Sequence, residues 1–411
     1  MDTDYTQFLD AIIIIIKGQF TMFQSKITAD KKRVIFITGH HIGSKRRANF
    51  HWLADAFWRA DYEVIFFTCW ISWISRLVGD PRFQYFRKES VRRLVWVNDH
   101  LGSYVWLTPW HPFNLPLKSL NQLTGTLFRS YPCFPLGEIT PIIEQSNLFI
   151  FESTPGLMLF PVFKKINDKA QTIYRVSDPL ALVNIHPIVE EAEKRWSPHF
   201  DLISTTSEYS FRQFANLPHC RLHYHGLEKA VFSVNTQSPF PPDSINAIFV
   251  GNSHLDVDFI NSATGLFPQW HFHIIGPFKN LPQRENIHAY GEIPFQQTIP
   301  FIQHANIGLQ TRSYCKGAEH LTDTLKVLQY TYCQLPIVAP EFLRTRRTHC
   351  FYYTPGDTAS IQQALHHALL FDRNSIDREG IQTWDELQQR MISDLDIISG
   401  AQGSSHRMIL P

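Results

Sequence analysis

Short apolar runs that end in glycine or a polar cluster alternate along this chain with stretches of helical periodicity. Residues 33–38 (RVIFIT) and 63–67 (EVIFF) read as buried strands with a helix over 48–60 between them. Residues 94–97 and 104–107 read as a short strand pair around the turn formers of 98–103. Runs at 148–151 (LFIF), 172–174 and 201–204 complete a first series. A second series follows at 247–250 (AIFV), 271–275, 287–290, 306–310 and 337–339, and Gly251, Gly276 and Gly291 close three of its strands. Strands alternating with helices in both series predict an α/β protein with two parallel-sheet, Rossmann-like domains, each with helices on both faces. Leu217-Pro218 and His225-Gly226 break the pattern. The expected division is an extension at 1–32, domains at 33–217 and 218–371, and a helical segment at 372–411. A terminal helix over 384–398 is expected to pack back on the first domain.

The stretch 322–340 (TDTLKVLQYTYCQLPIVAP) organises the second domain. Thr322 and Asp323 are suited to cap a helix whose buried face carries Leu325, Leu328 and Tyr332. The helix feeds a strand at 337–339, so its N-terminus faces the ligand crevice of an open sheet. Lys326 in the first turn opposes the helix dipole by roughly 0.3–1 kcal/mol. An anion held by backbone N–H groups and the ammonium accounts for it, and so does a solvated lysine.

Charge and cysteine content narrow the class. The 411 residues carry 38 Lys+Arg against 37 Asp+Glu, with the first 200 residues at +5 and the rest at −4. That balance is too mild for a nucleic-acid binder but compatible with a front half that touches an anionic surface. Six cysteines lie far apart without a CxxC pair, which points to a reduced, cytoplasmic protein. The apolar run 11–16 (AIIIII) falls well short of the ~20 residues that span a bilayer, and it lacks the flanks of a signal peptide. Trp70, Trp73 and Leu77 near Arg76 are spaced as an amphipathic stripe, suited to a membrane surface or to the protein's own core.

The turn after the first strand, Gly39-His40-His41-Ile42-Gly43, is not GxGxxG, and no P-loop is present, so a dehydrogenase is disfavoured. Asp256-Val257-Asp258 has the spacing of a metal-binding DxD, yet Asp2–Asp4 and Asp394–Asp396 share it, and no metal is expected.

A set of stretches in order then carries a resemblance. They are His41 with Arg46-Arg47-Ala48-Asn49, His111-Pro112-Phe113-Asn114, Phe151-Glu152-Ser153 and Tyr174-Arg175-Val176-Ser177-Asp178. His225-Gly226, Tyr290-Gly291-Glu292, Gln297-Thr298-Ile299 with His304-Ala305, and Lys326 with Leu328-Gln329-Tyr330 follow. Across roughly residues 33–370 the chain resembles the inverting GT-B glycosyltransferases of the xanthan type. These are membrane-associated enzymes that transfer glucuronic acid to a polyprenyl-diphosphate-linked oligosaccharide in exopolysaccharide synthesis.

The resemblance implies that Asp178 is the general base, a role that suits a carboxylate after a buried strand; the residues alone favour a helix cap. It places Lys326 on the donor diphosphate with the Thr324 and Leu325 amides, Glu292 on the ribose, and Gln329 on the sugar or phosphate. His41, Arg46, Arg47 and Asn49 fall on the acceptor side, where a lipid diphosphate needs cations; Arg46 and Arg47 also read as a bland surface pair. The chain departs from the family at Ser253, where the family has methionine, and in the loop Thr311-Arg312-Ser313-Tyr314. There Arg312 is suited to a donor carboxylate or to solvent. The implied activity is metal-independent transfer from a UDP-sugar to a lipid-linked oligosaccharide by a peripheral protein at the cytoplasmic face of the cell membrane. The alternatives are another donor sugar, or a non-catalytic nucleotide-sugar or glycan-binding protein.

Overall fold

The apolar runs form two separate sheets. The computed structural model describes residues 31–44, 47–86, 91–183, 185–252 and 254–402. Its first sheet comprises β1 (Arg33–Thr38), β2 (Glu63–Thr68), β3 (Leu94–Asn98), β4 (Leu101–Val105), β5 (Leu148–Glu152), β6 (Gln171–Val176), β7 (Leu202–Thr205) and β8 (Cys220–Leu222). They lie in the order β3-β4-β2-β1-β5-β6-β7-β8 and run parallel except for the antiparallel β3–β4 pair. Alternate residues of β1 serve opposite faces. Ile35 and Ile37 pack with Phe149 and Phe151 on one side, and Val34 and Phe36 with Phe50 and Phe57 on the other. Burial on both faces is why these strands read as continuous apolar runs.

The second sheet comprises β9 (Asn246–Val250), β10 (His271–Ile275), β11 (Ile287–Gly291), β12 (Ile307–Leu309), β13 (Ile337–Pro340) and β14 (Cys350–Tyr353). Its order is β11-β10-β9-β12-β13-β14, with every pairing parallel. Each sheet reverses its winding once, between β1 and β5 and between β9 and β12. The crevices outside the carboxyl ends of those strands are the ligand positions of open α/β sheets.

Three boundaries differ from expectation. The β3–β4 turn is only Asp99-His100, because Leu101 and Gly102 already pair with Val64 and Ile65. A Cβ on Gly102 would stand 2.8 Å from Ile65 Cδ1, so glycine here admits a neighbouring side chain rather than making a turn. The first sheet also runs past residue 217, since β8 adds to β7 through Ile203↔Cys220. The donor-side helix is Leu325–Tyr332, preceded by the 3₁₀ segment Ala318–Asp323, so neither Thr322 nor Asp323 caps it. Asp323 is ion-paired with Arg347 instead. The buried face of that helix is Val327, Leu328, Tyr330 and Thr331, whereas Leu325 is half-buried against the core of the first half.

The C-terminal helix Trp384–Gln402 lies on the first half. Its Trp384, Leu387, Met391 and Leu395 share a core with Phe50, Leu53 and Phe57 of helix Asn49–Arg59. Gly226 makes the crossing possible, because a Cβ there would lie 2.6 Å from Trp384 Cα. The Leu227 amide donates to Gln382 O alongside it.

Candidate active site

Glu152 ends β5 at the first switch point and is buried. It accepts hydrogen bonds from the Thr38 hydroxyl at 2.5 Å and the Gly39 amide at 3.1 Å, and His40 Nε2 lies 3.3 Å away. Burial pushes its carboxyl up, but the His40 charge and these donors outweigh that and hold it below the usual range. Burial likewise lowers His40, and Glu152 with Asp178 more than offsets it, so His40 is raised and favours the charged form.

Asp178 follows β6 and opens to solvent in the same crevice. Its backbone carbonyl accepts the Ser153 hydroxyl at 2.5 Å, which fixes the loop. The following 3₁₀ turn, Leu180–Leu182, begins at Pro179, so the Asp178 carboxylate is not spent on a cap. Desolvation and then Glu152 raise its pKa, against the pull of His40 and Arg312. A cavity of about 310 Å³ brings Asp178 and Glu152 together with Gly39, His40, Trp70 and Arg82.

The donor side is built at the second switch point. Gly251, Gly276 and Gly291 stand at the carboxyl ends of three neighbouring strands, β9, β10 and β11. At Gly276, φ is +150° and a Cβ would fall 1.9 Å from Gly251 O, so only glycine allows the strand ends to approach this closely. Lys326 reaches over this floor, with Nζ 3.9 Å from the Phe249 ring centroid. Desolvation first, and Arg312 second, push its pKa down to about 7. Thr324 does not cap the helix, since its hydroxyl bonds the Gln310 amide at 3.2 Å, leaving the first-turn N–H groups uncapped by a side chain. Arg312 stands close enough to both Lys326 and Asp178 to shift their proton affinities. Its Nε is buried with no hydrogen-bond partner among the described residues. Two cations without a salt bridge to any carboxylate among the described residues, beside first-turn amides uncapped by a side chain, make an anion-binding corner.

The other residues named from sequence fall elsewhere. His41 is buried and turned away from the cavity, its ring against Tyr85 and Phe86 and its Nδ1 accepting the Gly43 amide, and burial lowers its pKa to about 4. Arg47, just before helix Asn49–Arg59, is held against that helix by Asp55 and by the Trp52 ring at 4.5 Å. Asn49 opens that helix and caps only locally, accepting the Phe50 amide. Glu292 is exposed just beyond the edge strand β11, and Gln329 is half-buried on the donor-side helix. Arg46, Ser253 and residues 1–30 lie outside the described residues. Asp256 caps helix Val257–Leu266 and accepts the Tyr353 hydroxyl, so its carboxylate has structural work to do. Sequence reasoning passed over His40, Trp70, Arg82 and Glu152 as site residues. The available signal was position: Gly39-His40 and Glu152-Ser153 follow the two strands that flank the switch point.

With this geometry in hand, comparison with known proteins identifies the frame. Residues 36–206 match the family described as Glucuronosyltransferase GumK, N-terminal domain. The chain is 28% identical over 338 residues to the UDP-glucuronate:glycolipid 2-beta-glucuronosyltransferase of Xanthomonas campestris pv. campestris, covering 82% of this chain and 83% of that protein. The chain is a glycosyltransferase whose first half is similar to the GumK family. Its fold is GT-B, shared with the UDP-forming alpha,alpha-trehalose-phosphate synthase of Burkholderia vietnamiensis (TM-score 0.59, 12% identity, 92% and 99% of the two chains). Anabaena HepE, solved in complex with UDP and glucose, is similar at TM-score 0.56 and 12% identity, over 88% and 99% of the two chains. In this GT-B frame Asp178 follows a strand of the first sheet, and Arg312 and Lys326 lie on the half built around the second.

Proposed function

We propose that this protein transfers glucuronic acid from UDP-glucuronate to a lipid-linked oligosaccharide with inversion at the anomeric carbon. The observation that carries this reading is the placing of Asp178 near Arg312, which in turn adjoins Lys326. A base on one half thus meets an anion-binding corner on the other. An acceptor hydroxyl gives its proton to the Asp178 carboxylate as its oxygen bonds to the sugar's anomeric carbon. The bond from that carbon to the β-phosphate breaks on the opposite face, which inverts the centre. Charge growing on the departing UDP is met by Lys326 and the first-turn amides, with no metal ion required. Incubation with UDP-[14C]glucuronate and the glycolipid extract of cells that lack this protein tests the reading. Label entering the lipid fraction with equimolar UDP release supports it, and neither product nor UDP is expected from a binding protein.

Arg312 is the residue suited to choose the donor. Its guanidinium, whose buried Nε has no hydrogen-bond partner among the described residues, matches a hexuronate carboxylate, and a charge-assisted hydrogen bond is worth roughly 1.5–3 kcal/mol. Arg312→Gln should therefore lower kcat/KM for UDP-glucuronate relative to UDP-glucose by roughly 10–100-fold. An unchanged ratio assigns Arg312 to the diphosphate alone.

The acceptor lipid implies a peripheral membrane contact, and the exposed leucines of the first half are suited to make it. Among the described residues no helix is long and apolar enough to cross a membrane. The stripe expected at Trp70, Trp73 and Leu77 is interrupted, because the helix begins only at Trp73 and Trp70 turns into the cavity. Trp73 and Leu77 remain 51% and 85% exposed. Helix Lys118–Arg129 carries the longer stripe, with Leu117, Leu120, Leu123 and Leu127 exposed on one side and Lys118 and Arg129 at its ends. Burying a leucine contributes roughly 1.5–3 kcal/mol, so Leu123→Glu with Leu127→Glu should weaken co-sedimentation with anionic vesicles at least about tenfold. Equal pelleting of the double variant and the parent would remove this helix from the membrane contact.

A further inference from the structure

Trp70 is the one wall of the Asp178 cavity whose backbone is bent to put it there. Its φ is +58°, in the left-handed region that a bulky non-glycine residue adopts only when its surroundings impose it. Tyr131, a fully buried core residue, receives the Trp70 amide on its hydroxyl at 3.0 Å, which anchors that backbone to the first half's core. The preceding residue, Cys69, is fixed as well, its amide donating to Thr38 O.

The ring placed by this bend is half-buried and lies across the turn after β1. A Cβ on Gly39 would come within 2.8 Å of Trp70 Cε3, so the missing side chain at Gly39 is what lets the indole lie close to that turn. Arg82 completes the arrangement. Its guanidinium lies 5.6 Å from the indole centroid, is clamped by the Asp80 carboxylate at 2.6 Å, and donates to Gly39 O at 3.1 Å. Core packing alone does not require this backbone, because the ring lines the cavity instead of filling the interior. An aromatic face beside a few fixed polar groups is how a protein holds a pyranose. The ring's C–H face lies on the negative π surface, and the hydroxyls reach outward to charged partners.

We propose that Trp70 is the stacking platform of an acceptor-sugar subsite, holding the terminal pyranose of the glycolipid so that one hydroxyl meets Asp178 and others meet His40 and Arg82. This rests on the glycosyltransferase reading given above. It adds the residue that orients the acceptor, on the opposite side of the reaction from the donor corner.

Initial rates are measured with UDP-[14C]glucuronate at saturation while the glycolipid extract of cells lacking this protein is varied, for the parent, Trp70→Phe, Trp70→Leu and Trp70→Ala. UDP affinity and melting temperature are recorded for each. The three variants share the strained backbone, so Phe against Leu isolates the aromatic face from bulk. The expected result is a rise of at least about tenfold in the half-saturating acceptor concentration for Leu and Ala, a rise under about threefold for Phe, and UDP affinity within about twofold of the parent in all. Leu matching Phe, or a half-saturation that does not move, overturns the platform while leaving the transferase reading intact. A parent protein that labels no lipid at all overturns the transferase reading itself, and the subsite falls with it.

Discussion

Asp178→Asn should reduce transfer by ~10²–10⁴-fold, the usual worth of a positioned general base, and leave UDP affinity nearly unchanged. The amide keeps the shape of the carboxyl but cannot take the acceptor proton. Asp178 adjoins the anion corner through Arg312, which is assigned to the donor sugar, so the UDP moiety has no direct stake in the substitution. The pH profile adds a second readout. Desolvation and Glu152 raise the Asp178 pKa, so the acid limb of kcat/KM should sit above the usual carboxylate range. Below that pKa the group is protonated and the rate should fall tenfold per pH unit; above it the base is ionised and the rate levels off. The residual activity of the Asn variant should lack that limb. Retention of more than about a tenth of the parent rate would mean that another group takes the proton.

Much of the fold was legible because parallel strands buried on both faces cannot hide. LFIF is apolar at every position and RVIFIT at all but its two ends, and each became a central strand. Legibility failed where a long-range partner overrode a local preference. Asp323 is a good cap by type, but Arg347, 24 residues on, takes its carboxylate, and the helix starts later with an uncapped first turn. That loss strengthens the site, since unspent amides beside Lys326 are what an anion needs. On the acceptor side the pair His40-His41 defeated sequence reasoning by a single position. The turn after β1 sends His40 to Glu152 and His41 into the rings of Tyr85 and Phe86, and no periodicity distinguishes the two. Trp70 was hidden for a related reason. Its spacing to Trp73 and Leu77 fits a helix that does not extend back to it, and its left-handed backbone is imposed by contacts with Tyr131 and the β1–β2 strand ends.

Lys326→Ala should produce the opposite signature from a structural loss, with catalysis falling as the empty protein becomes more stable. Desolvation and the neighbouring Arg312 push the ammonium's pKa down to about 7, far below the unfolded value near 10.5. Between those values the unfolded chain binds more protons, so this group's contribution makes the protein more stable as pH rises from 7 toward 10.5. At pH 7 and below the burial penalty is present in full. Alanine removes it and also relieves the conflict of a cation with the helix dipole. The ligand-free variant should therefore melt at or above the parent temperature near pH 7, with the advantage shrinking toward pH 10. Binding inverts the balance, because a diphosphate beside Nζ restores the charged form. With a free pKa of about 7, UDP binding at pH 7 should draw about half a proton onto Lys326. Calorimetry in buffers of different ionisation enthalpy reads that proton as a difference between parent and variant. Charge on the leaving UDP is larger in the transition state than in the bound donor, so saturating donor should not rescue the variant, and turnover should drop by ~10²–10³-fold. A variant that melts lower yet turns over normally, with the same proton uptake as the parent, would make Lys326 a packing residue and move the diphosphate elsewhere.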